Sequence, residues 1–163
     1  MTEQGQGIVR RQIAQSDSEP SSEKGLESVG MEVRQLFEKG YGLIEKKQYD
    51  YAMEVLCMAL EKEAAFFDCR MTLRAAQVKK HENSGKLARM VRATANAHNM
   101  AQAKLALAKK NYFGAMIYSE KVLCADPENS VAHRVIVDAS RALNYPHTLI
   151  SSLQMLKKVN KSD

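Results

Sequence analysis

A chain of 163 residues that is 45% hydrophobic, 6% aromatic and free of Trp has too few aromatic and β-branched residues for a β-rich fold, and its many Ala, Leu, Lys, Glu, Gln and Met residues point to a single, mostly helical domain. Cys57, Cys69 and Cys124 are odd in number and irregularly spaced, which argues against a disulfide framework and reads them as small buried hydrophobes in a reducing compartment. The net charge is +5, the first thirty residues hold no apolar run longer than Ile8-Val9, and no stretch approaches the roughly 18 apolar residues of a membrane span, so a cytoplasmic location without a membrane span is expected.

Residues 1–30 are rich in Gln, Ser, Gly and Glu, carry Pro20 and show no periodicity; they read as a disordered tail. In the alternative, Ile8, Val9 and Ile13 with Arg10 and Arg11 form one amphipathic turn that docks on a partner, but the solvated tail is preferred. From Met31 the apolar spacing turns to three and four and holds to about residue 160, which predicts one helical domain over 31–160. Eight helices are predicted. The first runs from about Met31 to Lys46, the second from Tyr49 to Glu63 and the third from near Phe66 to Lys80, where the His81-to-Gly85 stretch breaks the pattern. The fourth covers about Lys86 to Thr94, the fifth Asn96 to Lys110, and the sixth Tyr112 to Ala125, ended by Asp126-Pro127 because proline cannot continue the ladder. The seventh opens at Asn129 or Ser130 and closes at Asn144; the eighth starts at Pro146, a natural first helical position, and ends near Val159.

Two of these helices carry one pattern: Tyr49, Ala52, Leu56, Ala59 and Leu60, then Tyr112, Ala115, Ser119, Val122 and Leu123 at the same spacing. A recurrent unit of this kind marks a repeat protein, in which no single helix pair buries both of its apolar faces and neighbours must stack. The unit over 33–66 adds Leu36, Gly40 and Leu43 on its first helix, where a small residue lets helix axes approach while large ones fill the space beside it. On these residues the chain resembles the tetratricopeptide repeat (TPR) family, whose unit is a helix-turn-helix of about 34 residues. The unit over 96–129 fits through Ala103, Ala106, Tyr112, Ala115 and Pro127, and the last through Ile136, Leu149, Leu153 and Leu156. The resemblance implies an all-α fold, an α-solenoid of about four helix-turn-helix pairs. The second pair is irregular: Tyr112 follows Tyr49 by 63 residues, about five short of two regular units, and Arg74 stands where the family prefers Gly or Ala. A generic helical bundle is the competing reading.

The resemblance also selects a face, since the first helix of each TPR pair lines a concave groove. The residues it places there are Arg34, Phe37, Tyr41, Ile44 and Glu45; Met71, Ala75, Val78 and Lys79; Met100, Lys104, Leu107 and Ala108; and Arg134, Asp138 and Arg141. That mixture of apolar anchors and positive charge suits a protein or peptide segment bearing apolar and acidic side chains. The carboxylate clamp of chaperone-binding TPR proteins is not expected, because Phe37, Tyr41, Ala97 and Ala101 occupy the places where it needs polar and basic residues.

Charge is uneven. Between Phe67 and Lys110 the cations Arg70, Arg74, Lys79, Lys80, Lys86, Arg89, Arg92, Lys104, Lys109 and Lys110 face only Asp68 and Glu82, a density that steers acidic partners or serves as a solvated face. An alternative function, a nucleic-acid or ribonucleoprotein-binding module, would use this basic patch, yet the stretch lacks aromatic platforms for base stacking. His81, His98, His133 and His147 share no ligand spacing with one another or with a Cys, so no metal is expected; His133 reads as an interior histidine. Neither Gly5-Gln6-Gly7 nor Ser84-Gly85-Lys86 makes a phosphate loop. The sequence therefore predicts a non-catalytic adaptor or scaffold without a cofactor. A third reading is a structural subunit that associates, with itself or a larger assembly, through the apolar stripe Leu149, Ile150, Leu153, Leu156 and Val159.

Overall fold

The structure, a computed structural model, describes residues 21–161. After a single 3-10 turn at Leu26–Ser28 come eight helices: α1 Met31–Glu45, α2 Tyr49–Lys62, α3 Phe67–Glu82, α4 Lys86–Ala95, α5 Ala97–Ala108, α6 Tyr112–Ala125, α7 Ser130–Ala142 and α8 Pro146–Val159. The predicted starts at Tyr49, Tyr112 and Pro146 coincide with these, and no terminus differs from expectation by more than about two residues, the width over which helix ends fray. Among the described residues there is no strand, only a parallel bridge between Lys24 and Phe66.

Three hairpins are closed by the same turn. Lys47, Lys110 and Asn144 hold left-handed φ values of 59°, 59° and 56°. In each case the next amide, of Gln48, Asn111 or Tyr145, donates back to the carbonyl of Leu43, Ala106 or Ser140 at 2.8–2.9 Å. This is the Schellman arrangement that satisfies the last carbonyls of a helix and reverses the chain. Lys110 and Asn144 lie 34 residues apart. The exits of α2 and α6 match as well: Glu63 (φ −141°, ψ 86°) and Asp126 (φ −138°, ψ 87°) share one conformation. Within the α1/α2 hairpin, a Cβ on Gly40 would lie 2.6 Å from Leu56 Cγ, so the close approach read from the sequence depends on the missing side chain.

α3 and α4 do not repeat this hairpin. α3 packs on α2, α6 and α8, whereas α4 lies against α5 and α6; a contact of Arg89 with His81 at 3.3 Å joins α4 to α3. The cause is chemical. The inner face of α3 presents Arg70, Arg74 and Gln77, all buried, and a buried guanidinium needs a carboxylate. α4, with the sequence KLARMVRATA, has none. α6 supplies Glu120, whose side chain is 1% exposed: Arg70 Nε donates to its Oε1 at 3.2 Å and Arg74 NH2 at 3.0 Å. Gln77 donates to the Glu120 backbone carbonyl at 3.3 Å.

α3 consequently runs parallel to α6 and α8, with Phe67 against His147, Arg70 against Thr148 and Met71 against Ser151. α2 crosses α6 in the opposite sense, pairing Cys57 with Cys124 and Glu61 with Lys121. The two largest apolar clusters lie around Leu56, Leu60, Phe66 and Leu73 and around Met116, Leu123, Ile136 and Tyr145, with smaller ones at Ala103, Ala106, Ala115 and Val135 and at Leu43, Ala52 and Val55.

Residues before Met31 also pack on the helices. Lys24 exchanges backbone hydrogen bonds with Ala65 and Phe67 at 2.8 and 3.0 Å, and Leu26 N donates to Asp68 at 2.9 Å. Glu23, whose side chain is 3% exposed, accepts from the His147 and Thr148 amides at 2.7 and 2.8 Å. Its carboxylate thereby caps the positive end of the α8 dipole, and through Thr148 it joins the Arg70 network. Two arginines and two glutamates balance inside the seam. Expectations for residues 1–20, including the turn at Ile8, Val9 and Ile13, lie outside the described residues.

Removing one partner of a buried ion network strands the other charges, at a cost of about 3–5 kcal/mol. Urea unfolding of Glu120→Ala should show a loss of that size. In contrast, Lys110→Gly should gain roughly 0.5–1 kcal/mol in the same assay, because glycine adopts the left-handed turn without steric penalty.

Candidate functional site

The groove residues expected on the first two units converge. Tyr41, Ile44 and Glu45 from α1 and Met71, Ala75 and Lys79 from α3 line one open cleft of about 490 Å³, completed by Lys47, Tyr49 and Thr72. Tyr41 is 52% exposed. Phe37 sits behind it, half-buried, with ring centroids 6.4 Å from Tyr41 and 5.2 Å from the buried Phe66; it supports the cleft and does not offer a contact face. Arg34 is half-buried and tethered to the Leu26 carbonyl at 3.0 Å.

The remaining groove residues lie in the other half of the molecule and do not line this cleft. Met100 packs against the second core, Lys104 and Arg134 are exposed, and Arg141 pairs with Asp138 at 3.6 Å. Because α3 turns its arginine face onto α6, the first helices of the two halves do not continue one surface.

The expected basic patch is divided by the same turn. Arg70 and Arg74 are interior, which corrects their assignment to a surface. Lys79 faces the cleft. Lys80 pairs with Asp50 and has its pKa lowered by burial and by the nearby Arg92. Lys86, Lys109 and Lys110 are exposed, and Arg89 is half-buried beside His81. On α4 the residues Leu87, Met90 and Val91 are 75%, 68% and 61% exposed, so its cations flank an apolar stripe. On α8, Ile150 and Leu153 stay exposed while Leu149, Leu156 and Val159 are half-buried. Among the described residues no helix is long and apolar enough to cross a membrane.

A second cavity is formed by residues that no sequence motif connects. About 430 Å³ in volume, it opens between α2, α6, the end of α3 and α4. Met53, Met58, Cys57 and Cys124 form its apolar wall; Asp50, Glu54 and Glu61 face Lys80, Arg92 and Lys121. Cys57 Sγ lies 3.9 Å from Cys124 Sγ. These cysteines are 67 residues apart and share no motif, so only the crossing of α2 over α6 unites them. Cys69, by comparison, is fully buried and donates to the Leu56 carbonyl at 3.5 Å, and burial pushes its pKa up to about 12.

Among the described residues no group of three or more His, Cys, Asp or Glu is placed to hold a metal ion. His133 is buried, with Nε2 2.9 Å from the Pro127 carbonyl and Nδ1 without a partner. His147 meets Glu23 at 2.9 Å. No protein-family model matches the chain, and neither does any curated protein or solved structure.

Burial, and secondarily the charge of Arg74, lowers the His133 pKa below its ordinary value. A base whose folded pKa is depressed binds protons more readily when unfolded, so its contribution to stability is complete above pH of about 6.5 and is lost as pH falls through the folded value. Urea midpoints measured at pH 7.5 and at pH 5.5 should therefore differ more in the native chain than in His133→Gln, in which that titration is absent.

Proposed function

We propose that this chain is a non-catalytic protein-interaction module that holds a short apolar and acidic segment in the cleft between α1 and α3. The observation that carries the reading is the convergence of Tyr41, Ile44, Met71 and Ala75 with Lys79 and Lys47 around one concavity. An exposed aromatic beside aliphatic and thioether side chains provides a desolvated anchor site, and the ammonium groups at its edge select carboxylates. The cleft's other titratable groups are Glu45 and two tyrosines; these are contact groups and do not form a nucleophile with its base.

A TPR-like α-solenoid architecture fits the three hairpins closed by the same left-handed turn, and the 34-residue interval between the last two matches the family's period. In this reading the scaffold is interrupted at its centre. The cleft belongs to the first half alone, and the segment it takes is correspondingly short. The nucleic-acid alternative loses support from the burial of Arg70 and Arg74, which removes two charges from the surface that would track phosphates. Three free thiols suit a reducing, cytoplasmic setting.

Selection from a displayed peptide library should enrich sequences with an apolar residue close to Asp or Glu. In calorimetric titration of a selected peptide, Tyr41→Ala with Met71→Ala should weaken binding by about tenfold or more, equivalent to roughly 1.4 kcal/mol. Arg134→Glu with Arg141→Glu, in the other half, should leave affinity within about twofold. The reverse pattern would place the site on the second half and overturn the assignment.

A further inference from the structure

The second cavity holds two thiols that face each other across the seam. Cys57 projects from α2 and Cys124 from α6, both half-buried, both lining the cavity, with sulfurs 3.9 Å apart. A disulfide requires about 2.05 Å between sulfurs, a closure within reach of side-chain rotation and a small shift of two packed helices. We propose that Cys57 and Cys124 are a dithiol modification site at which hydroperoxides form an intramolecular disulfide, tying the first half of the molecule to the second.

The surroundings assign the two roles. Gln77 Nε2 donates to Cys124 Sγ at 3.4 Å. With Gln77 directed at Cys124, the contact between the two thiols pushes the Cys57 pKa up and draws the Cys124 pKa down, against the burial that raises both, and Gln77 adds to the lowering at Cys124. Glu120 opposes ionisation of Cys124 and Arg74 favours it. Lys80 interacts electrostatically with Cys124, and Lys121 with Cys57. Cys124 is thus the attacking thiolate and Cys57 the resolving thiol. Cys69, sealed in the first core with its thiol on a backbone carbonyl, takes no part.

The chemistry balances without a further reactant. The Cys124 thiolate attacks a peroxide oxygen and the O–O bond breaks. Cys124 becomes a sulfenic acid, and the departing oxygen takes up a proton as water or alcohol. The Cys57 sulfur then attacks the Cys124 sulfur. The S–S bond forms, the S–O bond breaks, and hydroxide leaves with the Cys57 proton as water. Two thiols lose two electrons and the peroxide gains them.

Such a link closes a long loop, residues 57 to 124, and fixes α2 against α6, so the oxidised chain should resist unfolding. The cavity also lies beside the Gln77 and Glu120 contacts, and the bond would lock the docking of α3 on α6.

The full chain is treated with hydrogen peroxide and followed by intact mass, non-reducing peptide mapping and thermal unfolding. Two thiols should be lost together, with Cys57 and Cys124 peptides linked, reversal by dithiothreitol, and a midpoint raised by at least about 5 °C. In Cys57→Ser, Cys124 should stop at a sulfenic acid that dimedone traps; in Cys124→Ser, oxidation of Cys57 should be at least about tenfold slower. Intermolecular dimers, a link to Cys69, or sulfinic acid without a link between Cys57 and Cys124 would overturn the proposal.

Discussion

Glu120 is the carboxylate on which the tertiary arrangement turns. It is buried on α6, and from α3 it receives Arg70 and Arg74 on one oxygen while Gln77 holds its backbone carbonyl. Two guanidinium groups cannot remain inside a protein without opposing charge. α3 must therefore dock where that charge is, and the only helix adjacent to it in sequence on the C-terminal side carries none. The second negative charge arrives from Glu23, which also caps α8. One network thus joins Glu23, α3, α6 and α8, and its ends, Glu23 and Thr148, are 125 residues apart.

This constraint acts against a regular stacking of the hairpins. The left-handed turns at Lys47, Lys110 and Asn144, together with Gly40 facing Leu56, are local devices that build the same hairpin three times. Propagation of a stack requires each first helix to pair with the helix that follows it. α3 pairs elsewhere, and α4 is left with Leu87, Met90 and Val91 largely in solvent. The result is two halves meeting through crossed and parallel helices, with the two largest apolar clusters centred one in each. The interruption creates both cavities' boundaries: it ends the α1/α3 cleft at the first half, and it brings Cys57 and Cys124 together.

Legibility in the sequence followed the range of the interactions. That Tyr41, Ile44, Met71 and Lys79 line one cleft follows from chain order, because α1 and α3 flank α2 in sequence and both pack on it. Phe37 was placed on the correct helix but its depth was not readable: an aromatic one turn from another is an anchor or a core residue according to what lies beneath, here Phe66. Met100, Lys104, Arg134 and Arg141 were assigned to the same groove on the assumption that the array continues. The thiol pair had no sequence signal, since neither spacing nor flanking residues encode a helix crossing.

The sequence by itself determined the helices, their ends and the hairpin turns, because apolar periodicity, Pro146, the Asp126-Pro127 break and the conformational needs of the chain reversals act over a few residues. It also showed a cluster of cations in the centre of the chain. Only the tertiary structure decided which of those cations are surface and which are interior. The charge of Arg70 and Arg74 is the same in either place; its effect depends on whether a carboxylate distant in sequence is brought within hydrogen-bonding distance, and Glu120 is, with Glu23 joined to Arg70 through the Thr148 hydroxyl.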